Sequence, residues 1–152
     1  MTALLPAKSA TVCFTYRMNR LEIFIDGASK GNPGPSGVGI VIVKDGQVVK
    51  EIGRFIGEAT NNTAEYTALI FALQEGLLLK AEALHIKSDS ELLCRQLNKQ
   101  YKVKQPHILV LYSQAVNLLE GFKEVVIKHI PREENASADR LATKAVKEAL
   151  AR

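Results

Sequence analysis

Four acidic side chains stand where a folded chain could bring them together. Asp26 ends a segment of strand-forming residues at 21–26, and Asp89 ends another short apolar run. Glu65 and Asp139 each lie in the first turn of a predicted helix. Clustered carboxylates repel one another, so they either hold protons to unusually high pH or bind cations. Four carboxylates favour hard cations such as Mg²⁺ or Mn²⁺ over zinc.

Each of these acids also has an ordinary structural interpretation. The chain contains sixteen acidic residues, and an acid near a helix N-terminus stabilises the helix dipole without any chemical task. Asp26 followed by Gly27 is also a common turn pair. Spacing alone therefore leaves a structural role open for each acid.

The first third of the chain predicts strands. Residues 21–26 are rich in β-forming side chains, whereas the Gly/Pro-rich residues 28–37 are expected to be irregular. Residues 38–57 carry two apolar runs around Asp45 and Gly46, the dipeptide typical of a two-residue hairpin. Three consecutive antiparallel strands are expected.

Helices and strands then alternate. Apolar residues recur at helical spacing over residues 60–81, with Thr60, Asn61 and Asn62 as candidate N-caps. Asn135 or Ser137 could cap the last helix. The further predicted elements are strands at 84–89 and 125–130 and helices at 90–100, 107–122 and 134–151.

This order of elements predicts an α/β fold with a five-stranded mixed sheet flanked by helices. The first three strands are antiparallel, and the last two are parallel to the first. If the first and fourth strands are neighbours, Asp26 and Asp89 lie side by side at the carboxyl ends of their strands, where ligands bind in open α/β sheets.

The composition is that of one globular protein. The chain has 152 residues, 47% of them apolar and 24% charged, with a mean hydropathy of +0.00, which argues against disorder. Its apolar runs are too short to span a bilayer, and residues 1–20 lack the pattern of a secretory signal. We therefore expect a monomer in the cytoplasm with no membrane partner. Cys13 and Cys94 are expected to be free thiols.

The positive charge is local. The net charge is +4, and residues 1–20 contain three basic residues and no acid. Residues 92–119 also contain no acid. This second stretch is either a nucleic-acid-binding patch or a solvated face, and its basic residues are Arg95, Lys99, Lys102 and Lys104.

Four blocks of sequence together resemble type 1 ribonuclease H. They are IDGASKGNPGPSG at 25–37, ATNNTAEYTAL at 59–69, IKSDSELL at 86–93 and HIPREENASADRLA at 129–142. Each block alone is weak, but four in order, each on its expected element, are specific. The resemblance implies a ribonuclease H domain at residues 21–152 behind an N-terminal extension at residues 1–20. Met18, just before the first predicted strand, is a candidate internal start.

The resemblance implies an activity and a cofactor. Asp26, Glu65, Asp89 and Asp139 match the catalytic carboxylates that hold two Mg²⁺ ions, with Mn²⁺ as a substitute. The implied reaction is hydrolysis of the RNA strand of an RNA/DNA hybrid, because two ions can activate water and stabilise the leaving oxygen. The products would carry 5′-phosphate and 3′-hydroxyl ends.

The resemblance also implies substrate contacts. Asn32, Asn61 and Asn62 match positions that contact the minor groove of the hybrid, with Asn61 and Asn62 doubling as helix caps. Gly27 would let the backbone approach the RNA strand closely. This chain lacks the basic protrusion of longer members, so Lys102 and Lys104 are the remaining candidates for phosphate contacts, and binding should depend strongly on salt.

Three departures bear on the site. His129 matches a catalytic histidine, but the usual glycine-rich loop is replaced by Lys128–Arg132, so His129 could simply end a strand and Arg132 could take the role. Ser36 stands where glycine is usual. Glu91 stands where glutamine is frequent, and it adds negative charge near the site.

Two other functions stay open at this point. The first is a ribonuclease H-like nucleic-acid-binding protein with weak or no cleavage. The second is related nuclease chemistry on DNA, such as that of a resolvase or an exonuclease, although the Asn-Asn and Gly-Asn-Pro-Gly motifs argue against it.

Overall fold

Three successive strands with alternating apolar residues form the first half of the sheet. The computed structural model describes residues 17–152. Its first strands are β1 (Arg20–Ser29), β2 (Gly34–Lys44) and β3 (Gln47–Ala59). Each pairs antiparallel with the next, as predicted. The turn between β2 and β3 is Asp45–Gly46, with φ values of 51° and 79°, the positive values that a tight hairpin turn requires.

The remaining elements add two parallel strands and four helices. In chain order they are α1 (Asn61–Leu78), β4 (Ala83–Ser88), α2 (Glu91–Leu97), α3 (Pro106–Leu119), β5 (Glu124–His129) and, after a 3₁₀ turn at Arg132–Asn135, α4 (Ala136–Leu150). β4 pairs parallel with β1, and β5 pairs parallel with β4. The strand order is β3-β2-β1-β4-β5, which confirms the predicted mixed sheet.

The Gly/Pro-rich residues 28–37 are more regular than the sequence suggested. β1 continues through Ser29 and β2 begins at Gly34, so the expectation of an irregular segment was wrong for all but the four residues between them. The pairing continues because Ser29 lies opposite Ser36, and the two hydroxyl groups donate to the Ala59 carbonyl at 3.0 and 3.1 Å. Side-chain hydrogen bonds thus hold the strand ends where glycine and proline would loosen them.

Two glycines let helices approach the two faces of the sheet. A Cβ atom on Gly39 would lie 1.9 Å from the carbonyl oxygen of Ala138 in α4. A Cβ atom on Gly27 would lie 2.3 Å from the carbonyl carbon of Ala64 in α1. In the strand pairing, Gly39 lies opposite Asp26, the residue before Gly27. Successive residues of a strand point to opposite faces, so the side-chain positions of Gly27 and Gly39 lie on opposite faces of the sheet. α1 therefore covers one face and α4 the other.

The main core lies between the sheet and the helices α1, α2 and α3. Burial of these apolar side chains is the principal force that holds the layers together. The largest fully buried side chains are Tyr66, Ile23, Ile25, Ile40, Ile42, Leu69, Leu73, Leu84, Ile86, Leu93, Ile108 and Val38. Within residues 17–152, the longest and most apolar helices fall short of what a membrane crossing demands.

Part of the predicted N-terminal extension, residues 1–16, lies outside the described residues, as does Cys13. Next to it, Asn19 is attached to the segment that follows α1. Its side-chain amide donates to the carbonyls of Leu79 and Lys80 at 3.2 and 2.8 Å, and its N–H donates to Glu82 at 2.9 Å. Cys94 is a buried free thiol whose pKa is raised to about 11, mainly by burial.

Candidate active site

Three carboxylates meet at the carboxyl ends of β1 and β4. Asp26 lies in β1, and Asp89 directly follows β4, the strand beside it. Glu65 reaches them from α1, where it follows the first turn rather than lying in it as predicted, because α1 begins at Asn61. One oxygen from each of the three residues lies within 4.8 Å of the others. The juxtaposition expected from the sheet order is therefore present.

The fourth acid, Asp139, joins this cluster from the other face of the sheet. It lies in the first turn of α4 and lines the same cleft as Asp26. Asn135, just before α4, is 1% exposed, and its side-chain amide donates to the Ile25 carbonyl at 2.8 Å. This contact ties the start of α4 to the residue before Asp26. Asn135 occupies the N-cap position of α4, as predicted, although its side chain makes no capping hydrogen bond.

Gly27 connects β1 to the glutamate. Its N–H donates to Glu65 Oε1 at 2.9 Å, and its missing Cβ leaves room for the backbone of α1. Any larger residue would push α1 away and move Glu65 out of the cluster. Gly27 also lines the cleft that holds the acids, and its contact with the RNA strand stays a prediction.

Burial and mutual repulsion raise two pKa values in the cluster. The pKa of Asp26 rises from 3.8 to about 9, first through burial and then through the charges of Glu65 and Asp89. The pKa of Glu65 rises from 4.5 to about 8, first through burial and then through the charge of Asp89, in part offset by the hydrogen bond from Gly27. The positive charge near these two carboxyl groups is too small to stabilise their ionised forms. A bound cation would supply that charge, so this environment favours cation binding.

A cleft of about 360 Å³ contains the four carboxylates. Arg132, from the 3₁₀ turn, is the one basic residue among those that line it in residues 17–152. His129 is exposed at the end of β5, opposite Ser88 in the strand register, and is not one of the lining residues. Of these two candidates for a catalytic basic residue, Arg132 lines the cleft that contains the acids and His129 does not.

Three asparagines lie beside the acids. Asn32 accepts a hydrogen bond from the Asn61 N–H at 3.0 Å, which attaches the loop after β1 to the start of α1. Thr60 is the N-cap, and its hydroxyl accepts from the Thr63 N–H at 3.2 Å, so the capping role expected of Asn61 and Asn62 was wrong. Their side chains remain free of capping and line neighbouring clefts.

Two further clefts extend the site away from the acids. A cleft of about 410 Å³ shares Asn61 and Glu65 with the carboxylate cleft, and a groove of about 570 Å³ shares Asn62 with that second cleft. Lys102 and Lys104 line the far groove. The three spaces form one path from the carboxylates to the basic segment, which is defined here as residues 101–104.

Two contacts of α2 were missed from the sequence. Gln96 of α2 is 5% exposed and connects the buried Tyr66 hydroxyl to the basic segment, a contact between residues far apart in the chain. Glu91 bonds to Arg95 at 2.8 Å, one helical turn later, so its charge is paired there and not directed at the acids. The spacing of Glu91 and Arg95, four residues apart on one helix, could have indicated this ion pair from the sequence.

Comparison with known proteins agrees with this geometry. Residues 24–145 match the family model described as reverse transcriptase-like. The ribonuclease HI of Halobacterium salinarum is 42% identical over 145 residues, which are 95% of this chain and 73% of that protein. Its crystal structure has a TM-score of 0.83 and covers 85% of this chain and 98% of that chain.

This chain belongs to the ribonuclease HI family.

Two other ribonuclease HI relatives are informative. The bifunctional protein Rv2228c of Mycobacterium tuberculosis is 40% identical over 129 residues, which are 84% of this chain but only 35% of that protein. LC11-RNase H1, solved in complex with an RNA/DNA hybrid, is 39% identical with a TM-score of 0.81, covering 86% of this chain and 99% of that one. The sequence motifs and the fold therefore identify the same family.

Proposed function

We propose that this protein is an endonuclease that hydrolyses the RNA strand of RNA/DNA hybrids with the help of two divalent cations. The cleft lined by Asp26, Glu65, Asp89 and Asp139 is the observation that carries the proposal. The hybrid bound by a family member of similar fold supports the same substrate. The proposed products carry 5′-phosphate and 3′-hydroxyl ends, as the family resemblance implies.

The donor set fits divalent cations. It consists of carboxylate oxygens, which suit Mg²⁺ and Mn²⁺, and the lining residues offer four acids against the single guanidinium of Arg132. We assign two Mg²⁺ ions to these acids, with Mn²⁺ as a substitute. When bound, the cations supply activation of the attacking water and stabilisation of the leaving oxygen.

The protein's own residues supply position and selectivity. Asn32, Asn61 and Asn62 can both donate and accept hydrogen bonds, which suits base edges and sugar oxygens in the minor groove of a hybrid. The ribose 2′-hydroxyl beside them is the group that distinguishes the RNA strand from the DNA strand. Arg132 adds a fixed positive charge where the scissile phosphate would lie.

The basic segment supplies affinity. Lys102 and Lys104 lie at the far end of the path, where their ammonium groups can bind phosphates of the duplex. Two lysines neutralise few phosphates, so the affinity for a hybrid is expected to be modest and to fall steeply with salt concentration.

Cleavage of a labelled RNA/DNA hybrid with Mg²⁺ or Mn²⁺ at low salt tests the proposal. We expect the wild type to cut only the RNA strand, and Asp26→Asn and Asp89→Asn to lose activity. Asp45→Asn is the matched control, because Asp45 lies in the hairpin turn between β2 and β3 and asparagine tolerates its positive φ.

Parallel reactions with RNA/RNA and DNA/DNA duplexes distinguish the other functions. A folded wild type that binds the hybrid but leaves it intact with either cation would make the protein a nucleic-acid-binding member of the family. Cutting of DNA/DNA in preference to the hybrid would contradict the proposed substrate.

A further inference from the structure

Gln96 occupies an unusual position between the core and the groove. Its side chain is 5% exposed, on the buried side of α2, yet it also lines the groove that contains the basic segment. Its Oε1 accepts from the fully buried Tyr66 hydroxyl at 2.6 Å. Its Nε2 donates to the Lys102 carbonyl at 3.4 Å.

The Tyr66 hydroxyl determines which way the Gln96 amide points. A tyrosine hydroxyl that donates to Oε1 leaves the amide nitrogen to face the opposite side, where the Lys102 carbonyl accepts from it. The orientation is therefore fixed from inside the core.

The backbone of Gln96 also holds the residues that lead into the basic segment. Its carbonyl accepts from the Lys99 N–H at 3.1 Å, and the preceding carbonyl, of Arg95, accepts from Gln100 and Tyr101 at 2.8 and 3.2 Å. The Arg95 guanidinium also lies 5.2 Å from the centre of the Tyr101 ring. The chain leaving α2 is thus attached through backbone, ring and amide contacts before it reaches the two lysines.

We infer that Gln96 is a positioning residue for the hybrid, which fixes the basic segment so that Lys102 and Lys104 face the groove. The inference rests on the proposed function, because it assumes that these lysines bind phosphates. A lysine side chain is long and flexible, so a fixed backbone beneath it is what makes its position specific. A chain without a basic protrusion depends on this small attachment for its grip on the duplex.

The test compares Gln96→Met with the wild type, because methionine has a similar volume and no hydrogen-bonding amide. The dissociation constant for a fluorescent RNA/DNA hybrid is measured in EDTA at several salt concentrations, and kcat and KM are measured with Mg²⁺. We expect Kd and KM to rise by about three- to tenfold and kcat to change less than about twofold. The slope of log Kd against log salt should fall by about 1, the value of one phosphate contact.

Three controls separate positioning from general loss of structure. Gln74→Met changes an exposed glutamine of α1 and should match the wild type. Tyr66→Phe removes only the hydroxyl and should weaken binding in the same direction as Gln96→Met. In a Lys102→Ala/Lys104→Ala background, Gln96→Met should have almost no further effect on Kd, although it still lowers Tm.

The outcomes distinguish this inference from the proposed function. A folded Gln96→Met protein with an unchanged Kd and salt slope overturns the inference, and so does an equal loss of affinity in the double-lysine background. A wild type that binds the hybrid with the expected salt slope but does not cut it overturns the cleavage proposal and leaves the positioning role standing.

Discussion

Two protonated carboxyl groups make the cation-free protein sensitive to pH. The pKa values of Asp26 and Glu65 rise from 3.8 and 4.5 to about 9 and about 8, so the folded protein keeps protons that the unfolded chain releases. Their contribution to stability is complete below pH 4 and is lost as the pH rises to about 9.

We therefore expect the free energy of unfolding in EDTA to fall between about pH 4 and pH 9. Urea denaturation at a series of pH values measures it. Asp26→Asn should flatten this dependence and be more stable than the wild type at pH 8, because its amide does not have to take up a proton when the chain folds. A profile that is level for the wild type in EDTA would contradict the raised pKa values.

Arg132 and His129 are the two candidates for a basic side chain that assists catalysis, and substituting them should have different effects. Arg132 lines the carboxylate cleft, whereas His129 is exposed at the end of β5. We expect Arg132→Ala to lower kcat by roughly a hundredfold, the size typical of losing one preorganised charge at a reacting group. His129→Ala should lower kcat less than about threefold.

Single-turnover kinetics on the hybrid measure both variants, and Arg132→Lys tests whether charge alone suffices. A larger loss for His129→Ala would restore the catalytic role that the family resemblance assigns to that residue, which otherwise stays a prediction.

At the scale of elements, α1 and α2 end in the same way, with a lysine where glycine is usual. Lys80 and Lys99 have φ values of 59° and 63°, and each follows the C-cap of its helix. The N–H of Lys80 bonds to Leu77 and that of Ala81 to Gly76, the paired contacts of a Schellman motif. A residue with a Cβ atom is strained in this left-handed region.

Replacing Lys80 by glycine should stabilise the protein by about 1 kcal/mol, or raise Tm by about 3 °C. Thermal unfolding at constant pH measures it. Lys80→Ala is the control, since it removes the same charge but keeps the Cβ atom. Equal stability of the glycine and alanine variants would show that the left-handed turn carries no strain.

The sequence predicts an element well when the contacts that determine it are between neighbouring residues. The hairpin at Asp45–Gly46 and the cap at Ser90 follow from neighbouring residues, and both are present. The choice of Thr60 over Asn61 as the N-cap is not local, because Asn32 bonds to the Asn61 N–H from another loop. In the same way, the extension of β1 to Ser29 depends on the distant Ala59 carbonyl.

The same contrast between neighbouring and distant contacts applies to the candidate site. Asp26 and Asp89 could be placed together because sheet order brings the ends of two parallel strands to one edge. The Tyr66–Gln96–Lys102 contacts join three segments, and no local pattern predicts them. The position of Arg132 depends on the 3₁₀ turn before α4, which sequence periodicity did not indicate.

At the scale of the whole molecule, cation binding and stability are linked. A ligand that binds only the folded state stabilises it, by about 2.7 kcal/mol at a hundred times its dissociation constant. We therefore expect saturating Mg²⁺ to raise Tm at pH 8 by about 5 to 10 °C. Calorimetry measures this shift, and Asp89→Asn should lose most of it while Asp45→Asn keeps it. A Tm independent of Mg²⁺ in the wild type would contradict the assignment of the carboxylates to cations.

Two of the four acids lie near opposite ends of the described chain, Asp26 in its first strand and Asp139 in its last helix. A cation shared by these two residues closes a loop that contains nearly the whole sheet, so it acts as a reversible cross-link on the chain. Without it, α4 is held mainly by its packing against β1, β2 and β3. Release of the cation should then open α4 to proteases before the rest of the molecule, which makes the last helix a reporter of whether the site is filled.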